Sequence, residues 1–137
     1  MDTNGARYVP GTGHYESWFQ RANDPGGRRA FWIRYTIFAP RGRPADAVGE
    51  LWAIAFDREA TQIVAVKQVH PIRACTFARD RLDVAIGEAR LDDGALRGAA
   101  SSHGHTIAWD LRYAGGQPPR RCALGEIDGS LAVPRGP

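Results

Sequence analysis

The side chains that could carry chemistry are few, and their spacing excludes more than it supports. His103 and His105 flank Gly104, so both imidazoles could point to one face. A zinc site wants three or four ligands, and His14 and His70 lie far away in sequence, so no metal site is expected. Cys75 and Cys122 cannot build a disulfide framework, and nothing beside them has the spacing of a metal knuckle. Cys75 reads as a small buried residue. No glycine-rich phosphate loop follows a strand and opens a helix, and Ser17, Ser101 and Ser102 lack the context of a nucleophile elbow. Neither a cofactor nor a hydrolase triad is expected. More informative are the four tryptophans, Trp18, Trp32, Trp52 and Trp109, all inside strand-like segments. They read either as core packing or as the lining of an apolar pocket.

The elements that position these residues are short strands. The chain has 137 residues, enough for one domain with a core. With 43% hydrophobic and 24% charged residues it is a folding sequence. No apolar run approaches the ~20 residues of a membrane helix, and Met1 to Gly13 contains no secretory h-region, so a cytoplasmic location is expected. Seventeen arginines stand against a single lysine, Lys67, giving a net charge of +3. They are scattered among acids and form no stripe that would grip a duplex, so nucleic acid is not expected as a partner. Such an excess fits the coding bias of a GC-rich genome.

Period-2 segments run over 14–21, 29–38, 48–57, 61–68, 82–90, 95–101 and 105–114, with a further short strand around Ala74 to Ala78. Turn chemistry separates them: Asn23-Asp24-Pro25-Gly26-Gly27, Pro40-Arg41-Gly42-Arg43-Pro44, Asp57-Arg58-Glu59-Ala60, Asp92-Asp93-Gly94 and His103-Gly104. The spacing predicts an all-β antiparallel meander of about seven to eight strands. A sandwich, or an up-and-down barrel or half-barrel, is the natural closure. Residues 1–13 read as a flexible N-terminus, 14–114 as the β domain, and 115–137 as an irregular tail or truncated linker.

Two of these strands are apolar on both faces. Phe31, Ile33, Tyr35 and Ile37 oppose Trp32, Arg34, Thr36 and Phe38; Leu51, Ala53 and Ala55 oppose Trp52, Ile54 and Phe56. An antiparallel strand of this kind needs cover on both sides. The core supplies one cover. The other calls for a second β domain or a partner chain, because an exposed apolar stripe marks an interface.

The run Gly13-His14-Tyr15-Glu16-Ser17-Trp18-Phe19-Gln20-Arg21-Ala22-Asn23, followed by Ala30-Phe31-Trp32-Ile33-Arg34-Tyr35-Thr36-Ile37, resembles the opening of the carotenoid hydratase (hydroxyneurosporene synthase)-like proteins. Gly49-Glu50-Leu51-Trp52-Ala53-Ile54-Ala55-Phe56-Asp57 and Ile107-Ala108-Trp109-Asp110-Leu111-Arg112-Tyr113 fit the same pattern. Those proteins are similar to lipocalins and plant tocopherol cyclases and contain two consecutive barrel-like β domains. The resemblance spans roughly residues 13–117. It implies a calycin-type fold and a pocket for a hydrophobic, often isoprenoid, ligand. It transfers no reaction, since related members hydrate or cyclise. Residues after Pro119 do not continue as apolar strands, so the chain reads as the N-terminal half of such a protein.

Adding water across an isolated alkene requires a carboxylic acid kept protonated by apolar surroundings. The candidate acids are Glu16, Glu50 and Asp110, each beside an aromatic residue; their plainer role is pairing with arginine. Candidate ligand-binding residues are Trp18, Trp32, Arg34, Trp52, Phe56 and Trp109. Three functions follow as expectations. The first is a domain binding an apolar small molecule and not catalytic alone. The second is an isoprenoid hydratase or cyclase active as a homodimer, and the third a protein-interaction module using an apolar sheet face.

Overall fold

The alternating residues do fold as strands, and their arrangement decides which side chains face each other. A computed structural model describes residues 5–23, 26–114 and 126–132. Four consecutive strands, β1 (His14–Asn23), β2 (Arg29–Ala39), β3 (Val48–Asp57) and β4 (Gln62–Pro71), form one antiparallel sheet in chain order. A 3-10 turn at Ile72–Ala74 carries the chain to the second sheet. That sheet holds β5 (Cys75–Phe77), β6 (Asp83–Ile86), β7 (Ala89–Asp92), β8 (Ala95–Ser102), β9 (His105–Ala114) and β10 (Glu126–Ala132), again in chain order. The all-β antiparallel meander is therefore what the chain forms. Among the described residues it is open, as two facing sheets, and not a closed ring.

The turns form where their chemistry demands. Asp57 Oδ1 accepts the Ala60 N–H at 3.1 Å in the β3–β4 turn. Asp92 Oδ1 accepts the N–H groups of Gly94 and Ala95 at 3.0 and 2.9 Å between β7 and β8. The β8–β9 hairpin turns on His103 and Gly104, with φ of 53° and 79°. Two left-handed residues give the turn a twist that matches its strands.

The inner faces of the two sheets make the core. Ile33, Tyr35, Leu51, Ala53 and Val66 from the first sheet meet Val84, Ile86, Leu91, Leu96, Ile107 and Trp109 from the second. All are nearly inaccessible to water. Burying apolar area at about 25 cal/mol per Å² is the main force holding the sheets together.

Four details differ from the sequence reading. The described strands number ten, not seven or eight. The segment 82–90 is a hairpin, β6 and β7, because Gly87 at φ 58° turns the chain in its middle. Part of the irregular tail, Glu126–Ala132, is a strand paired to β9, satisfying backbone groups that β9 would otherwise leave at an edge. Its alternation, Ile127 and Leu131 against Glu126, Asp128 and Ser130, is short and interrupted by Gly129. The rest of the tail, and residues 1–4, lie outside the described residues. Finally, residues 5–8 are not loose: the Ala6 N–H donates to the Ala78 carbonyl at 2.7 Å, and the Arg7 N–H to Glu16 at 2.9 Å. Gly5 allows this approach, because a Cβ there would run into the Arg79 carbonyl.

Candidate functional site

Strand pairing places the second set of apolar residues in rows on the outer face of the β1–β4 sheet. One row runs Phe19, Arg34, Trp52, Lys67 across the four strands. On either side lie Arg21, Trp32, Ile54, Ala65 and Ser17, Thr36, Glu50, Val69. At the centre the Arg34 guanidinium sits 5.1 Å from the Trp32 ring and 4.8 Å from the Trp52 ring. Lys67 Nζ lies 4.5 Å from the same Trp52 ring and 3.0 Å from Glu50 Oε2. Cations over aromatic faces contribute about 0.5–2 kcal/mol each. Two tryptophans, two cations and one carboxylate thus form a single ordered layer.

This layer is surrounded by exposed hydrocarbon. Tyr15, Phe19, Phe38, Phe56, Ile63 and Val69 are all exposed, Ile63 at 67%. Every one of them points outward from this sheet; of the large exposed apolar side chains among the described residues, only Val9 lies elsewhere. Three buried side-chain polar atoms have no hydrogen-bond partner among the described residues: Arg34 Nε, Thr36 Oγ1 and Trp52 Nε1. They too belong to this face.

The candidate acids do not meet. Glu16 points inward at one end of β1, where it takes hydrogen bonds from the Arg7 N–H and lies 2.8 Å from His14 Nε2. Glu50 is on the outer face with Lys67. Asp110 is exposed on the outside of the other sheet, 3.7 Å from Arg97 Nε. Each has a basic neighbour instead of the uncharged apolar surroundings that protonation of carbon requires.

Of the six candidate ligand-binding residues the structure brings together Trp32, Arg34, Trp52 and Phe56. Trp18 and Trp109 lie on the inner side. Trp18 stacks on Phe77 with centroids 6.2 Å apart, and Trp109 donates its indole N–H to Tyr35 at 3.0 Å. The space between the sheets is filled by side chains such as Ile33, Leu51, Ile86, Leu96 and Ile107, each at most 1% exposed. Hollows open instead at one end of the outer face, around Ala30 and Phe56. Sequence reasoning missed Lys67, Phe19, Ile63 and Val69 as members of this layer. Their signal was parity: once the hairpin registers are fixed, they share the face of Trp32 and Trp52.

Burial raises the pKa of the Tyr35 phenol and of the Cys75 thiol. Both groups lie on the inner side, away from the layer. Among the described residues no helix is long and apolar enough to cross a membrane. No family model, no curated protein and no solved structure matches this chain.

Proposed function

We propose that this chain is a non-catalytic β domain whose outer β1–β4 face docks against a second β-sheet of different sequence. The observation that carries it is the placement of six exposed large apolar side chains on one face of one sheet. A contiguous apolar patch of that kind marks an interaction surface. Four strands of about ten residues give a footprint of roughly 600 Å². That is on the scale of the ~800 Å² each partner gives to a stable interface. A flat pleated face is best covered by another sheet at about 10 Å. Arg21, Arg34 and Lys67 outnumber Glu50 on this face, so stacking two identical copies would oppose like charges. A different, less basic sheet fits better. This is also what the resemblance to carotenoid-hydratase-like proteins implies, with their paired β domains.

The dispersal of Glu16, Glu50 and Asp110 supports the non-catalytic part of the reading. An apolar ligand, on this reading, is held at the outer face and not between the two sheets. The test is a photo-reactive side chain placed at Phe19, Phe38 or, as a control, Arg112 on the opposite sheet, in cells that make the protein. The expected result is one common adduct from both outer-face positions, mapped to a strand-forming segment and lost with Trp52→Glu. Equal labelling from position 112, or no adduct at all, would overturn the proposal.

A further inference from the structure

From the geometry we infer that the hollow over Ala30 is a binding site for a single-chain anionic amphiphile. Ala30 is the small member of a row that continues through Phe56 to Ile63, with Trp32 two residues along its own strand. A small residue among large ones leaves a depression. Two open hollows, of about 680 and 470 Å³, meet there and share Asn23, Ala30 and Phe56. The walls are apolar: Trp32, Ile54 and Phe56 on one side, Phe56 and Ile63 on the other.

The rim is cationic. Arg21 borders the first hollow, and Arg28, Arg29 and Arg58 the second. Arg28 is held by Glu59 at 3.0 Å and Arg29 more loosely by Asp57 at 3.7 Å. The Asp57 carboxylate is already engaged by the Ala60 N–H. Among the described residues Arg21 and Arg58 form no ion pair, so of the four guanidinium groups bordering the hollow the described acids Glu59 and Asp57 pair with two. Guanidinium forks match carboxylate and phosphate oxygens in a way a point charge does not. A neutral hydrocarbon would leave that rim unused, and free phosphate would leave the apolar walls unused. A chain lying over Phe56 and Trp32, with its anionic head among the arginines, uses both. The shared chemistry is a long-chain carboxylate or phosphate monoester.

The inference goes beyond the docking proposal and does not need it, since it is asked of the isolated chain. The probes are decanoate, decyl phosphate, decanol and inorganic phosphate, each below its aggregation concentration, followed by tryptophan fluorescence and calorimetry. One saturable site per chain is expected for both anionic probes, roughly tenfold tighter than for decanol and weakening with salt. The double variant Arg21→Gln/Arg58→Gln should bring the anions down to the decanol level and leave decanol unchanged. Ala30→Leu, which fills the hollow from an outward-facing position, should abolish binding of all three chain-bearing probes with an unchanged circular dichroism spectrum. Comparing decanoate with decyl phosphate identifies the preferred head. The inference is overturned if decanol binds as tightly as the anions, or if inorganic phosphate alone matches decyl phosphate. It also fails if Ala30→Leu binds normally, or if the chain binds anionic phosphatidylglycerol vesicles and none of the monomeric probes.

Discussion

Tyr35 on β2 and Trp109 on β9 join the centres of the two sheets. The Tyr35 hydroxyl accepts the Trp109 indole N–H at 3.0 Å and lies 2.9 and 3.2 Å from the carbonyl oxygens of Arg90 and Arg97. Both rings are almost fully buried and meet edge to face at 6.2 Å. One hydroxyl thereby accepts an indole N–H and shares its own proton between backbone carbonyls of β7 and β8.

Tyr35→Phe takes away the acceptor of the buried Trp109 indole N–H. Burying an unsatisfied donor or acceptor costs about 1–3 kcal/mol. The variant should lose that much stability in denaturant unfolding while keeping its far-ultraviolet spectrum. A loss within error of zero would show that the hydroxyl does not pin the sheets.

The same burial sets an alkaline limit. Desolvation raises the Tyr35 phenol well above its ordinary value, despite the opposing effect of the Trp109 N–H. The folded chain then holds a proton that the unfolded chain releases near pH 10. Stability is complete below that pH and should fall as pH rises through and beyond it. Burial raises the Cys75 thiol in the same way, so its contribution is lost from the lower thiol range upward. Unfolding followed from pH 7 to 11 should show a decline that Tyr35→Phe removes at its upper end and Cys75→Ala at its lower. Parallel pH profiles for all three proteins would contradict the assignment.

Gly98 on β8 lies under Trp109. A Cβ added there would stand 2.5 Å from the Ala89 Cβ and 3.0 Å from Trp109 Cζ2. Ala89 is itself buried, so neither neighbour can withdraw freely. Overpacking of this kind costs about 1–3 kcal/mol. Gly98→Ala should be destabilised by that amount with altered Trp109 fluorescence, whereas Gly94→Ala, which meets open space, should be close to neutral.

Inner and outer faces should answer differently to the loss of hydrocarbon. Ile86 is fully buried, and Ile86→Ala should cost about 2–5 kcal/mol. Ile63 is 67% exposed, and Ile63→Ser should cost under about 1 kcal/mol while lowering binding of an apolar dye. A large loss on Ile63→Ser would make the outer face a structural element of this chain and remove the case for docking.

The strands and most turns were legible because their signals are local. Alternation in β2, β3 and β9, and the Asp92-Asp93-Gly94 turn, report the backbone conformation of the residues that carry them. Even the apolar character of both faces of β2 and β3 was visible, because period-2 parity assigns every side chain to one face or the other. The division of 82–90 into two strands was not. It depends on Gly87 adopting a left-handed conformation, which glycine permits but does not announce. Nor was the strand Glu126–Ala132, which is specified by an edge of β9 more than by its own residues.

What the residues by themselves determined is therefore the class of fold and the membership of each strand face. Which faces meet was decided only in three dimensions. Four aromatic-flanked candidates from β2 and β3 share the outer layer because register aligns them, while Trp18 and Trp109, of the same residue type, pack inward. The three carboxylates are separated for the same reason: one residue of parity, or one sheet of distance, carries a side chain to the opposite side of the molecule. Parity is written along a strand, but the partner that each face meets is set by how the two sheets stack and by the area they bury between them.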